Sequence, residues 1–286
     1  MPHWLRTIFQ LDVTRILMYW KPNPDIYPPY LRPRIRRGRG VGHGREYVPW
    51  LKVRDVPSRG TSSVISGIRI GRPHHLLSEL EATYFFLIER RPSTVEIREQ
   101  WPILDLDGTL TLCARLGVRH RYRGIYPEPF TIDFLITERI DGELKYRAAS
   151  IKTREDAANH EIRHRLSLEH AWCRERKIPW TLVDTSAFDR TLLANLRFVR
   201  AWFRHRHEPD IDGVTRFSKL FAALYQRNVP LGELIGCVAK RLHLRGPDAD
   251  DLFRYAAWSD NIAVSLTHPI GLDKPLVLRR IAKDHA

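Results

Sequence analysis

Asp133 and Lys152 are the residues whose types and spacing first suggest chemistry. They lie within residues 130–152, where β-branched and aromatic residues flank Asp141-Gly142. Asp-Gly between two such runs is a strong signal for a two-residue hairpin turn. With that pair at the tip, Ile140 faces Glu143 and Asp133 faces Ser150. Lys152 becomes the diagonal neighbour of Asp133 on the same sheet face, roughly 7–8 Å away. Ile132, Phe134 and Ile151 fall on the other face, where they can enter a core. A metal-dependent nuclease needs such a pair. The carboxylate holds a hard cation, and the lysine helps polarise the attacking water or the phosphate. A surface Asp–Lys cross-strand pair is the commoner origin of this spacing, and the pair alone does not decide between the two.

Glu81 offers a second carboxylate. It ends Ser78-Glu79-Leu80-Glu81, at the start of a helix expected over 76–90, where Leu77, Leu80, Tyr84, Phe85 and Ile88 recur at helical spacing. The four residues have the form of a capping box, with Glu81 reaching back to the Ser78 amide. The same side chain, projected from the first helical turn, could instead hold a metal, and both readings stand at this point. His160-Glu161-Ile162-Arg163-His164 matches the H-E-x-x-H pattern of zinc proteases. The motif lies in a highly charged helix of a chain with 13 histidines, and no third ligand stands out downstream. We therefore read it as a solvated or DNA-facing helix flank.

The elements that must position these residues follow in order. Residues 95–103 read as a strand ending at Pro102, followed by the hairpin. A long helix is expected over 154–176, a short buried strand over 179–183 and another helix over 189–205. Helix, three strands, helix, strand and helix describe a mixed sheet sandwiched by helices, an α/β domain. The polar stretch 205–213 marks a boundary. Beyond it, helices at 215–226, 231–242 and 248–258, with Asp248 as a cap, precede short strands at 262–266 and 276–278. That order describes a winged helix. At the other end, residues 1–20 read as an amphipathic helix and 21–33, with five prolines, as an extended linker. The expected organisation is thus 1–33 extension and linker, 34–205 catalytic domain, and 206–286 winged-helix-like domain.

Across its 286 residues the chain is 43% hydrophobic and 28% charged, as expected of a soluble globular protein, with a net charge of +14. A polyanionic partner follows, and DNA or RNA fits better than a membrane because no long apolar stretch is present. The charge is concentrated in two places. Arg34, Arg36, Arg37, Arg39 and Arg45 lie in an acid-free, glycine-rich arm expected to follow a phosphate path, before a strand expected over 47–56. Arg119, Arg121 and Arg123 crowd the loop before the hairpin. Cys113, Cys173 and Cys237 are far apart and in no ligand spacing, pointing to a reducing, cytoplasmic setting.

Several stretches then converge. Gly38-Arg-Gly-Val-Gly-His-Gly-Arg-Glu-Tyr-Val-Pro-Trp50, His74-His-Leu-Leu-Ser-Glu-Leu-Glu81, Ile97-Arg-Glu-Gln-Trp-Pro-Ile-Leu104, Thr131-Ile-Asp-Phe134 and Ile178-Pro-Trp180 together resemble the TnsA family, endonuclease subunits of heteromeric bacterial transposases. The resemblance runs from the region of Ile35 to that of Phe203 and is weaker beyond. It implies a restriction-endonuclease-like catalytic domain followed by a winged helix. By motif, it implies Glu81, Asp133 and Lys152 as catalytic residues. Glu81, Asp133 and the carbonyl of Ile151 would then hold one or two Mg²⁺ ions, which Mn²⁺ could replace. Glu169 would lie near the metal, and Ser150 and Gln100 would line the site. Two positions depart from the family pattern: Ser150 stands where Gln is common, and Thr153 where Pro is usual. The reaction implied is a cut on the 5′ strands at transposon ends. A TnsB-like transposase would cut the 3′ strands, and a TnsC-like ATPase regulator would meet the C-terminal tail, which is short here after Leu278. Such a protein would work in the bacterial cytoplasm, at the nucleoid. Two rival readings are a stand-alone repair or restriction nuclease of the same fold and a non-catalytic DNA-binding assembly factor.

Overall fold

The computed structural model describes residues 18–56, 61–205 and 209–279. The helix expected over 1–20 lies outside them up to position 17, as does the tail beyond Arg279. The described residues form two compact units. One holds the residues up to Glu89 together with Ser93–Ser186, and the other holds Arg90–Pro92 and the residues from Ala187 onward.

In chain order the first unit contains α1 (Arg32–Arg36), β1 (Ser63–Ser66), β2 (Pro73–Leu76), α2 (Glu79–Glu89), β3 (Thr94–Pro102), α3 (Leu106–Leu116), β4 (Tyr122–Arg123), β5 (Tyr126–Pro127), β6 (Thr131–Ile140), β7 (Glu143–Ile151), α4 (Arg154–Ala158), α5 (His160–Glu175) and β8 (Trp180–Val183). A four-stranded sheet runs β3-β6-β7-β8. Its first two pairings are antiparallel and the last is parallel, so the sheet is mixed, as expected. The hairpin turns at Asp141-Gly142 in the expected register, with Ile140 opposite Glu143. Helix α2 packs on the sheet through Tyr84, whose ring lies 5.5 Å from that of Phe134. Trp20, Trp101 and Trp172 meet in the core, where Trp20 also donates to the Pro102 carbonyl at 2.6 Å.

Several local expectations change. Residues 21–33 are not an extended linker: a 3₁₀ turn spans Pro24–Ile26, and Tyr27 and Leu31 are buried in the core. The helix expected over 154–176 is two helices, because Asn159 is extended between them. Its side chain accepts from the amides of Glu161 and Ile162 and so starts α5. The basic arm is part of the fold, not a trailing segment. Gly40 sits at φ +71°, and a Cβ there would lie 2.3 Å from the Pro102 ring, so only glycine fits. The strand expected over 47–56 is absent: Tyr47 and Trp50 are buried and a 3₁₀ turn follows at Val53–Asp55.

The second unit contains α6 (Arg190–Arg200), α7 (Ile211–Leu224), α8 (Leu231–Leu242) and α9 (Gly246–Trp258). The boundary expected after His205 falls instead between Ser186 and Ala187. Helix α6 belongs to the second unit because buried Asn195 ties it to the 266–270 loop. Its amide donates to the carbonyls of Leu266 and His268 at 2.8 Å, and its oxygen accepts from the Ile270 amide at 2.9 Å. The two short strands expected after α9 reduce to one antiparallel bridge between Val264 and Leu278, extended by a 2.8 Å bond from the Ser265 amide to Val277. Arg245, not Asp248, occupies the N-cap position of α9, and Asp248 pairs with its side chain at 2.7 Å.

Candidate active site

Different elements deliver Asp133, Lys152 and Glu81. Asp133 lies near the start of β6, Lys152 follows β7 directly, and Glu81 sits in the first turn of α2. The hairpin register brings Asp133 beside Ile151 and Lys152. Its Oδ2 accepts from the Ile151 amide at 2.7 Å and from Lys152 Nζ at 2.6 Å. Lys152 Nζ also donates to the Ile151 carbonyl at 2.7 Å. The backbone here is held from the far side as well. Ile151 pairs with Val183 of β8, and the Thr185 hydroxyl donates to the Lys152 carbonyl at 3.0 Å.

Glu81 caps the start of α2 and lies close enough to Asp133 for the two charges to interact. Ser78 Oγ accepts from the Glu81 amide at 3.1 Å, while Glu81 Oε2 accepts from the amide of Leu77, not of Ser78, at 2.8 Å. Gln100 Nε2 approaches the same oxygen at 3.4 Å. Burial first, and then the charge of Asp133, push the Glu81 carboxyl up to about 8. Gln100 lies abreast of Asp133, between the pairs Glu99–Phe134 and Trp101–Ile132, and adopts a left-handed φ of +47°. A non-glycine residue in that region is strained.

The donor set suits a hard divalent cation. Two carboxylates that oppose each other's ionisation inside a buried wall leave a local deficit of positive charge. The oxygens of Glu81, Asp133 and the Ile151 carbonyl are the ligand types that Mg²⁺ accepts, with water and substrate oxygens completing the shell. Lys152 Nζ already lies on two of these oxygens. Among the described residues, no group of three or more His, Cys, Asp and Glu side chains forms a ligating cluster. That holds for the H-E-x-x-H motif too, whose His160 and His164 rings sit 3.9 Å apart in the first turn of α5.

Glu169 is buried close enough for the Asp133 charge to act on it, but both its oxygens are engaged. Oε2 accepts from Ser150 Oγ at 2.5 Å, and Oε1 from Arg165 Nε at 3.0 Å. Ser150 in turn accepts from Trp180 Nε1 at 3.2 Å. Burial raises the Glu169 carboxyl above its ordinary value, against the opposing charge of Arg165. Sequence reasoning missed Arg165, whose i,i+4 spacing to Glu169 was the available signal. It also missed a fully buried brace behind Gln100. There Glu99 accepts from Arg72 at 2.7 and 2.9 Å and contacts His74 Nδ1 at 2.9 Å.

The expected DNA-binding arginines divide into two groups. Arg34 pairs with Glu128 at 3.0 Å, and Arg39 with Asp55 at 2.5 Å, so both are committed within the fold. Arg36, Arg37, Arg45, Arg119, Arg121 and Arg123 are exposed, with Arg123 reaching Glu128 at 3.0 Å.

A central mixed sheet flanked by helices, with two carboxylates and a lysine gathered at the end of its hairpin, fits a restriction-endonuclease-like fold. Residues 91–185 match the family described as TnsA-like endonuclease N terminal. The chain is also 33% identical over 180 residues to the Transposon Tn7 transposition protein TnsA of Escherichia coli, covering 63% of this chain and 65% of that protein. By these two matches the chain is similar to TnsA-family proteins, and residues 91–185 carry the likeness to their endonuclease domain. The chain spans just under two-thirds of that relative's length.

Proposed function

We propose that this chain is the endonuclease subunit of a heteromeric transposase, cutting the 5′ strands at transposon ends in a Mg²⁺-dependent reaction. The observation that carries this reading is the convergence of Glu81, Asp133 and Lys152 at one site, in the hairpin register that their spacing demands. Bound Mg²⁺ would lower the pKa of water and offset charge building on the phosphate. Glu81, Asp133 and the Ile151 carbonyl would hold it. Lys152, tethered between Asp133 and Ile151, would orient the attacking water or contact the scissile phosphate. Glu169 acts one layer out, where Arg165 and Ser150 fix it behind Asp133. Gln100 holds Glu81 in place.

The exposed arginines would position DNA without reading its sequence, leaving sequence recognition to a TnsB-like partner. The second unit would serve as a winged-helix-like docking module, and a TnsC-like ATPase would regulate the assembly. Its place of work would be the cytoplasmic nucleoid DNA; no described helix is long and apolar enough to cross a membrane. The experiment is strand-resolved cleavage of transposon-end DNA by the chain with its transposase partner, with and without Mg²⁺. Metal-dependent 5′-strand nicks support the proposal. Equal cutting in a chelator counts against it.

A further inference from the structure

Residues 119–128 build a feature that the nuclease site leaves unused. β4 and β5 pair as a two-stranded ribbon, with Arg123 opposite Tyr126 and the turn at Gly124-Ile125. Gly124 takes a φ of +61°, which permits the tight turn and leaves Ile125 at the tip. Ile125 is 81% exposed, Tyr122 54% and Tyr126 46%. A two-stranded ribbon is marginal alone, but this one is braced. Tyr30 stacks on Tyr126 at 4.6 Å, and its hydroxyl donates to the Pro127 carbonyl at 3.1 Å. Glu128 receives both Arg34 and Arg123 at 3.0 Å. Buried His120 is fixed by Thr109 at 3.0 Å and by the edge of Phe130 at 4.8 Å. An aliphatic tip held into solvent on a braced support calls for a partner that covers it.

The surrounding charge identifies the partner. Residues 119–127 contain three arginines and no acid. At the foot of the ribbon opens a cleft of about 650 Å³, lined by Arg119, Arg121, Phe130, His164 and Arg165, with Glu161 as its acid. Arg165 joins this cleft to the candidate active site. Its guanidinium donates to the Thr131 carbonyl at 3.2 Å, two residues before Asp133, and also holds Glu169.

We propose that the β4–β5 ribbon is a DNA-distorting wedge. Ile125 enters the base stack beside the scissile phosphate, while Arg119 and Arg121 hold the adjoining backbone in the cleft. The proposal rests on the nuclease reading for its substrate. Apolar side chains carried into a groove unstack a base step and kink the duplex, and flanking arginines supply affinity that tracks the backbone and not the sequence. Opening the step there frees the strand to reach Asp133 and Lys152.

The test is the affinity of the full chain, in metal-free buffer, for a short intact duplex and for the same duplex with one abasic site, measured by fluorescence anisotropy. A wedge favours the abasic duplex by about tenfold, because the unstacking is already done. Ile125→Ala, an exposed change that leaves the fold intact, erases the preference; Ile125→Leu and Asp133→Ala retain it. No preference in the wild type overturns the wedge, as does an undiminished preference in Ile125→Ala. Loss of a protein partner in Ile125→Ala, with DNA affinities unchanged, also overturns it and makes the tip a protein-docking site. A wild-type chain that shows the preference but cuts nothing with its transposase partner leaves the wedge standing and sinks the nuclease reading.

Discussion

Gln100 combines a glutamine side chain with a backbone conformation suited to glycine. Such strain costs roughly 1–3 kcal/mol and collects at functional sites. Gln100→Gly and Gln100→Ala both delete the hydrogen bond to Glu81, but only glycine relieves the strain. The glycine variant should therefore be about 1 kcal/mol more stable than the alanine variant in urea unfolding, with both less active than wild type. Equal stabilities would mean that the left-handed backbone carries no strain. Replacing the catalytic candidates has a different signature. Glu81→Gln and Lys152→Ala should lower the cleavage rate by about 10²–10⁴-fold while the fold is retained, as read by single-turnover kinetics beside circular dichroism. At this scale the sequence was informative where residue type and register suffice. Asp141-Gly142 fixed the register that joins Asp133 to Lys152. The family resemblance placed Gln100 at the site, but the sequence was silent on its left-handed backbone, because no residue pattern announces a strained φ in a glutamine. For Glu169 it offered the i,i+4 spacing of Arg165, but it was silent on the Ser150 contact, which depends on how α5 lies on β7.

Between elements, the brace of Arg72, His74 and Glu99 fastens β2 to β3 directly behind Gln100. All three side chains are buried. Burial alone would raise the Glu99 carboxyl, but the charges of His74 and Arg72 hold it far below the ordinary carboxylate range. A lowered folded pKa adds stability that is fully present above the unfolded glutamate value, about 4.3. It is lost as pH falls from there toward the folded value. The wild type should thus lose urea resistance between about pH 5 and pH 3, and Glu99→Gln should show a shallower acid slope. An unchanged slope would remove Glu99 as its source. Arg72→Met strands a buried carboxylate and should cost about 3–5 kcal/mol. The sheet elements were legible from alternation and from the Asp-Gly turn. The short ribbons β1–β2 and β4–β5 were not, since strands of two to four residues carry too little periodicity. Helix α3 was missed for a related reason. Its Thr109-Leu-Thr-Leu-Cys113 stretch alternates like a strand, although Asp105 and Gly117 supply its cap and its stop.

For the whole molecule, the net charge of +14 pointed to a polyanion without saying which arginines would meet it. The fold separates them. Replacing Arg119 and Arg121 by alanine should reduce the slope of log affinity against log salt by about 2, roughly 0.9 for each phosphate left unneutralised. Changing Arg34 or Arg39 should instead lower thermal stability with little effect on that slope, because each is paired with a carboxylate in the fold. Equal slopes in wild type and the Arg119/Arg121 variant would remove this face from the DNA path. The division into two units was legible in outline. The boundary was displaced because the bonds from Asn195 to the 266–270 loop are long-range and leave no trace in local composition. The proposed function joins these scales: the site at the end of the β6–β7 hairpin would cut one strand within a larger assembly. The most direct measurement is strand-resolved cleavage of transposon-end DNA in Mg²⁺ by the chain with its transposase partner, comparing wild type with Asp133→Ala. The account predicts that the variant loses 5′-strand nicks while 3′-strand cuts persist. Undiminished 5′ nicks from Asp133→Ala would contradict it.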